Sequence, residues 1–254
     1  MQKGIVVCSI LLLLSFSSLF AQRQPPPFKK FIHTHKKDSL PYGLLEPLKP
    51  VKGEKYPLVI FLHGASERGT DNEKNIKHIQ LLFNYNTFNK YPCYVLAPQC
   101  PKGEVWTTMM NGKSYSATPT RPMEMLIQVL DKISAQYPID LTRVYVTGVS
   151  MGGFGTWDLL ARFPHRFAAG VPVCGGGDVK TIEKIKHIPV WAFHGAEDET
   201  VPAEFSRKMI DALHEAGALP GYTEFPGVGH SSWHHAYKEP QLMPWLWKQK
   251  IKTK

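Results

Sequence analysis

Short apolar runs recur along the chain, separated by segments with helical spacing of apolar residues. Each run is too short for a helix and ends at Gly, Pro or a polar residue, which is typical of strands buried on both faces of a sheet. This alternation predicts a mostly parallel sheet with helices on both faces. The predicted strands are 58–62, 94–97, 144–146, 168–173 and 190–193, and the predicted helices are 75–83, 122–136, 153–162, 179–187 and 203–216.

Two segments nearer the start of the chain, 28–35 and 42–48, alternate or cluster apolar residues between turn signals. Such segments predict a pair of antiparallel strands at a sheet edge. The stretch 22–27 before them is rich in proline and is expected to lead into the fold. The sequence contains no internal repeat after this stretch, so we predict a single catalytic domain over 28–254.

A long apolar run extends from Gly4 to Phe20 and follows Lys3. Serines interrupt it, and it is shorter than the roughly 20 apolar residues that usually cross a bilayer. A stretch of small and polar residues around Ala21 follows the run. These features predict a signal peptide over 1–21, cleaved after Ala21, and a secreted or periplasmic protein without a membrane span.

Charge and histidine spacing exclude several partners. Lys and Arg number 30 against 21 Asp and Glu, a net charge of +9, but the excess is spread along the chain and accompanies no zinc-finger, RNP-like or basic amphipathic pattern. The 11 histidines show no metal-ligand spacing. We therefore expect neither a nucleic-acid partner nor a metal. The sequence leaves open the oligomeric state and any disulfide among Cys93, Cys100 and Cys174.

The strand 144–146 continues into the Gly-x-Ser-x-Gly motif of residues 148–152, and a helical segment follows. The two glycines permit a turn too tight for a Cβ, which raises the Ser150 hydroxyl above the sheet. A dinucleotide fingerprint requires Gly in place of Ser150, and a P-loop starting at Gly148 requires Lys in place of Phe154. The motif therefore predicts a nucleophile and no nucleotide site.

A serine hydroxyl is a weak nucleophile at neutral pH, so it needs a histidine to accept its proton and a carboxylate to orient that histidine. Downstream of Ser150, Asp198 follows a late buried strand, and His230 lies beside flexible glycines. We predict Asp198 as the acid and His230 as the base. The open alternatives are Glu197, Glu199 and Asp178 for the acid, and His234 and His235 for the base.

Four motifs in this order carry a family resemblance: 62–69, 148–153, 194–202 and 229–233. They resemble the α/β-hydrolase superfamily, and more narrowly secreted esterases of the feruloyl-esterase and polyhydroxybutyrate-depolymerase-like group. Phospholipase/carboxylesterase and prolyl-oligopeptidase-type domains are relatives of that group. The resemblance implies the α/β-hydrolase fold, antiparallel N-terminal edge strands included, and no cofactor. The short connection between 169 and 198 predicts that this fold carries no large lid.

The resemblance also assigns roles. It implies that the backbone N–H groups of Ala65 and Met151 form an oxyanion hole, and the position of Met151 at a helix N-terminus favours negative charge there independently. Ser66 and Trp106 are expected near the substrate, with loop packing as the alternative for Trp106. Glu67 and Arg68 follow the oxyanion residue and are expected either to pair or to be solvated.

The predicted function is hydrolysis of carboxylic esters through an acyl-enzyme, with feruloyl, acetyl or similar esters of plant polysaccharide as the substrate class. The substrate itself is either a small molecule or linked to polysaccharide. Two alternatives remain: a serine peptidase of prolyl-oligopeptidase type, and a non-catalytic protein of the same fold that binds carbohydrate or another partner.

Overall fold

The computed structural model describes residues 27–110 and 114–251. The predicted signal peptide and almost all of the proline-rich lead lie outside the described residues. Within the part of the chain that is described, no helix is both long enough and apolar enough to span a membrane.

Eight strands form one sheet in the order β1-β2-β4-β3-β5-β6-β7-β8. The pairs β1–β2 and β2–β4 are antiparallel, and every other neighbouring pair is parallel. The mostly parallel sheet with antiparallel strands at its N-terminal edge is therefore confirmed. The strands are β1 (Lys29–His35), β2 (Asp38–Leu45), β3 (Tyr56–Leu62), β4 (Tyr94–Pro98), β5 (Ile139–Val149), β6 (Ala169–Val173), β7 (Trp191–Gly195) and β8 (Gly221–Phe225).

The helices connect these strands. Three long helices pack against the sheet, and the other helices are short. They are α1 (Ile79–Leu82), α2 (Tyr85–Lys90), α3 (Arg121–Gln136), α4 (Met151–Arg162), α5 (Ile182–Ile185), α6 (Glu204–Glu215), α7 (Trp233–Ala236) and α8 (Leu242–Lys248). Short 3₁₀ turns occur at Ala65–Glu67, Lys74–Ile76 and Val179–Thr181.

Alternate side chains of β3 enter two separate apolar layers, because successive residues of a strand point to opposite faces. Ile60 packs in the layer formed with α3, α4, α5 and α6, whereas Phe61 packs in the layer formed with α1, α2, α7 and α8. Every residue of β3, β4 and β6 is buried. Burial on both faces explains why these strands read as continuous apolar runs in the sequence.

The sequence pattern missed or shortened several elements. The residues of β8 are all half-buried, so they form no apolar run. β5 begins at Ile139 rather than near 144, because Asp140, Thr142 and Arg143 interrupt the apolar pattern at its start. The predicted helix 75–83 is a 3₁₀ turn followed by the short helix α1. These corrections leave the order and direction of the predicted central strands unchanged.

Candidate active site

Ser150 occupies the sharp turn between β5 and α4. Its backbone has φ of 55° and ψ of −118°, a conformation that residues with a Cβ rarely adopt. The Ser150 N–H donates to the carbonyl of Val173 at 3.0 Å, which ties the turn to the end of β6. A strained strand-to-helix turn of this kind lifts a serine hydroxyl out of the sheet, as the motif predicts.

Two glycines of the motif allow β3 and α4 to approach closely. A Cβ on Gly152 would lie 1.8 Å from the carbonyl oxygen of Leu62, and a Cβ on Gly148 would lie 2.4 Å from the carbonyl oxygen of Gly152. Neither position therefore has room for a side chain. The close approach places the residues that follow β3 beside the Ser150 turn.

The structure brings Ser150, His230 and Asp198 into one hydrogen-bonded series. His230 Nε2 lies 2.9 Å from Ser150 Oγ, and His230 Nδ1 lies 2.8 Å from Asp198 Oδ2. With Nδ1–H donating to the carboxylate, Nε2 is left as the acceptor for the serine proton. The series connects residues up to 80 positions apart in the chain.

Asp198 is only 5% exposed, whereas the neighbouring Glu197 and Glu199 are exposed. Its Oδ1 accepts the backbone N–H groups of Thr200 and Val201 at 3.0 and 2.8 Å. These bonds leave Oδ2 directed at His230.

The other residues that the sequence offered as the acid or the base have different surroundings. Asp178 instead accepts the backbone N–H groups of Tyr115 and Lys180. His234 and His235 follow on α7, and both are exposed.

The two predicted oxyanion donors begin helical turns on either side of Ser150. Ala65 is the first residue of the 3₁₀ turn Ala65–Glu67, and Met151 is the first residue of α4, so neither amide has an acceptor within its own helix. A Cβ built on Gly64 would lie 3.6 Å from Ser150 Cβ, which shows how close the first turn is to the serine.

His63 connects this turn to β4. Its Nε2 accepts the backbone N–H of Cys100 at 2.9 Å, which requires that Nδ1 carry the proton donated to the Gly64 carbonyl at 2.6 Å. Burial lowers the His63 pKa from 6.5 to about 4, so the ring is neutral at neutral pH. The hydrogen bond to Gly64 orients the peptide unit that bears the Ala65 N–H.

A polar network that the sequence did not reveal holds the rest of this loop. Gln99 Nε2 donates to the Glu67 carbonyl at 3.0 Å, and Gln99 Oε1 accepts the Asn72 N–H at 2.6 Å. The Asn72 side chain in turn donates to the carbonyls of Phe31 and Tyr42, both at 3.0 Å. Buried amides bonded on several sides fix a loop as firmly as regular secondary structure does.

The two residues expected near substrate differ in position. Ser66 is exposed, and its hydroxyl donates to Glu67 Oε1 at 2.6 Å. Trp106 is fully buried, its indole N–H donates to the His63 carbonyl at 3.0 Å, and its ring packs against His63. Because no part of Trp106 is accessible, its position agrees with the alternative of loop packing rather than with substrate contact.

Glu67 pairs with a residue that sequence reasoning did not consider. Its Oε1 lies 3.3 Å from His78 Nε2, and both side chains are more than nine-tenths buried. Burial by itself raises the Glu67 pKa, but the hydrogen bonds from His78 and Ser66 outweigh burial and lower the pKa to about 2. Neither expectation for Glu67 holds: its partner is His78 instead of Arg68, and the carboxylate is not solvated.

All three cysteines that the structure describes, Cys93, Cys100 and Cys174, are free and buried. Ligand atoms of Cys174, Asp198 and His230 lie within 4.8 Å of one another, the one such group of His, Cys, Asp or Glu side chains among the described residues. Burial raises the Cys174 pKa to about 12, and a thiol that stays protonated is a poor metal ligand and a poor nucleophile. Its Sγ instead accepts the Ser150 N–H at 3.3 Å.

Comparison with known proteins agrees with the geometry of the fold and the site. A structure described as that of a thermostable esterase superposes with a TM-score of 0.83 at 38% sequence identity, covering 88% of this chain and 63% of that one. The chain has the α/β-hydrolase fold. Its residues 102–192 also match the model of the prolyl oligopeptidase family.

Two curated relatives resemble parts of the chain. It is 25% identical to a bifunctional acetylxylan esterase/xylanase of Neocallimastix patriciarum over 67% of its own length and 24% of the relative's. It is 33% identical to poly(3-hydroxyalkanoate) depolymerase C of Paucimonas lemoignei over 47% of its own length and 28% of the relative's. The chain thus spans about a quarter of the length of each of these relatives.

Proposed function

We propose that this hydrolase is a secreted serine esterase that cleaves carboxylic esters through an acyl-enzyme, with Ser150 as nucleophile, His230 as base and Asp198 as the acid that orients it. The single observation that carries the proposal is the hydrogen-bonded series in which His230 contacts Ser150 Oγ at 2.9 Å and Asp198 at 2.8 Å. A neutral imidazole in this arrangement is ready to accept the serine proton.

In the first step, Ser150 Oγ attacks the ester carbonyl while His230 Nε2 takes its proton. The negative charge that develops on the carbonyl oxygen is stabilised by the N–H groups of Ala65 and Met151. His230 then protonates the departing alcohol, and Ser150 carries the acyl group. Water repeats the sequence, with His230 as base, and releases the acid.

For the substrate we propose feruloyl, acetyl or similar esters attached to plant polysaccharide. The relative named for an acetylxylan esterase supports this class, and the relative named for a poly(3-hydroxyalkanoate) depolymerase supports a second class, the ester bonds of a polyester. Both classes are esters carried by polymers. The connection from β6 to β7 contains only a 3₁₀ turn and the short helix α5, which is too little chain for a large lid.

A peptidase is the second candidate, because residues 102–192 match the prolyl oligopeptidase family. The two candidates share the acylation chemistry and differ in the leaving group, an alcohol or an amine. A purified enzyme is therefore to be compared on methyl ferulate, acetylated xylan, a short poly(3-hydroxyalkanoate), p-nitrophenyl acetate and a prolyl amide. We expect kcat/KM to be highest on an ester and turnover to be lost in Ser150→Ala.

Each outcome of this panel decides between the candidates. A prolyl amide that is cleaved faster than every ester would replace the esterase by a peptidase. Ester turnover that persists unchanged in Ser150→Ala would reject the proposed nucleophile. A wild-type protein that folds, binds xylan and turns over none of the substrates would favour the non-catalytic alternative.

A further inference from the structure

Glu67 is a buried carboxylate at the end of the turn whose first residue, Ala65, is the proposed oxyanion donor. It is only 5% exposed, which is unusual for a glutamate. Both main-chain groups of Glu67 form hydrogen bonds. Its N–H donates to the Gly64 carbonyl at 3.4 Å, and its carbonyl accepts Gln99 Nε2–H at 3.0 Å. A side chain buried at this place influences the position of the whole turn.

The two oxygens of the carboxylate have different surroundings. Oε1 accepts Ser66 Oγ at 2.6 Å and contacts His78 Nε2 at 3.3 Å. Oε2 is buried and has no hydrogen-bond partner among the described residues. A Cβ on Gly64 would lie 3.0 Å from Oε2 and 3.6 Å from Ser150 Cβ, so the carboxylate packs against the peptide next to the serine.

His78 and Ser66 are the groups in contact with the Glu67 carboxylate. The side chain of His78, like that of Glu67, is more than nine-tenths buried. A buried carboxylate that is bonded to two other side chains is held firmly, so these contacts help to hold the turn that bears Ala65.

His78 also reaches the other side of the site. Its ring centroid lies 4.9 Å from that of Trp233, and the Trp233 ring is perpendicular to the ring of His230 at 5.6 Å. The contacts Glu67–His78–Trp233 therefore connect the turn that bears Ala65 with the base of the Ser150–His230 pair. The three residues come from separate segments of the chain, since Glu67 ends a 3₁₀ turn, His78 precedes α1 and Trp233 begins α7.

We propose that Glu67 and His78 are positioning residues of the esterase site, which together fix the Ala65 N–H at the oxyanion and hold Trp233 against His230. This inference rests on the proposed esterase function. Because the oxyanion exists only in the transition state, a loosened turn lowers kcat and leaves KM nearly unchanged.

The test compares Glu67→Gln, Glu67→Ala, His78→Ala and the double variant Glu67→Ala/His78→Ala with the wild type on p-nitrophenyl acetate. Glu46→Gln is the matched control, because Glu46 also forms an ion pair, with Lys29, but at the edge strand β1. The inhibition constant of a phenylboronic acid is measured for each variant, since its tetrahedral serine adduct places an oxygen where the oxyanion forms. Melting temperatures are recorded in parallel.

We expect Glu67→Ala and His78→Ala each to lower kcat by about 10-fold to 100-fold with KM within about twofold, less than the 10²–10³ of deleting a donor outright. Boronate affinity should fall in proportion to kcat/KM. Glu67→Gln keeps an acceptor for Ser66 and His78 and should restore much of the rate. The kcat of the double variant should be nearly the same as that of either single variant, because each substitution alone already removes the contact between Glu67 and His78.

The inference is overturned if Glu67→Ala and His78→Ala both retain kcat within about twofold, if KM rises while kcat stays, or if the two losses are additive. If Glu67→Ala does not fold, the test is made with Glu67→Gln and His78→Ala. Their boronate affinities are then compared with their kcat/KM values in the same way. A wild type without ester turnover would instead contradict the proposed function. An active wild type whose variants keep the wild-type kcat would contradict this inference alone.

Discussion

The close approach of α4 to β3 at Gly152 predicts that the substitution Gly152→Ala damages stability and catalysis together. The added Cβ would lie 1.8 Å from the Leu62 carbonyl oxygen and 2.9 Å from that of His63, so the end of β3 and the start of α4 must separate by about 1 Å or more. Ala65 follows the end of β3 and Ser150 directly precedes α4, so this separation would move both sides of the proposed oxyanion position.

Opposing effects determine the sign of the stability change. Alanine is favoured over glycine inside a helix by roughly 0.5–1 kcal/mol. Overpacking of a closely packed site costs about 1–3 kcal/mol, and here the obstacle is backbone, which yields least. We therefore expect a net loss, at about 2–4 °C of melting temperature per kcal/mol for a chain of this size. A misplacement of ~1 Å at the reacting groups adds a loss of about 10²-fold in kcat.

Thermal unfolding and turnover of p-nitrophenyl acetate check both parts. Gly229→Ala is the matched control, because its Cβ would lie at an ordinary 3.6 Å from the Glu197 carbonyl oxygen although it is next to His230. This control should melt within about 2 °C of the wild type and keep its rate within a few-fold. If Gly152→Ala melts at or above the wild-type temperature with unchanged kcat, the contact between Gly152 and the Leu62 carbonyl does not constrain the site.

Three further predictions concern the surroundings of the site. His63 stays neutral in the folded protein down to about pH 4, whereas in the unfolded chain it takes up a proton below about pH 6.5, so lowering the pH between these values should reduce the free energy of unfolding by up to about 3 kcal/mol. Urea unfolding of His63→Gln should not show this pH-dependent loss, and a pH dependence identical to that of the wild type would contradict the prediction. Trp106→Phe, which loses the hydrogen bond to His63, should lower stability while KM changes less than about twofold, and a large rise in KM would restore the substrate role. Cys93, Cys100 and Cys174 should react with Ellman's reagent only after unfolding, and rapid reaction in the native protein would contradict their burial.

Residues whose signal is local were predictable from the sequence. The central strands are buried on both faces and appear as apolar runs, and the Gly-x-Ser-x-Gly turn carries its own geometric requirement at Gly152. The proximity of Ser150, Asp198 and His230 was expected because the motifs follow the order Ser, acid, His of the hydrolases that the sequence resembles. Their catalytic roles stay a prediction until turnover is measured.

Features that depend on long-range packing were not predictable. His78 is 11 residues from Glu67 in a segment that reads as an ordinary amphipathic helix, so nothing marks it as the partner of a buried carboxylate. For Trp106 the sequence offered substrate contact or loop packing without deciding between them, and its ring is fully buried against His63. β8 is half-buried along its whole length and lacks the continuous apolar pattern of its neighbours.

The proposed mechanism depends on acylation of Ser150, which can be measured. The protein is mixed with excess p-nitrophenyl acetate, quenched in acid within the first turnovers, digested and analysed by mass spectrometry. We expect one acetyl group on the peptide that contains Ser150, its absence in Ser150→Ala and its much slower formation in His230→Ala. An acetyl group on another residue as the kinetically competent species, or full turnover without modification of Ser150, would contradict this mechanism.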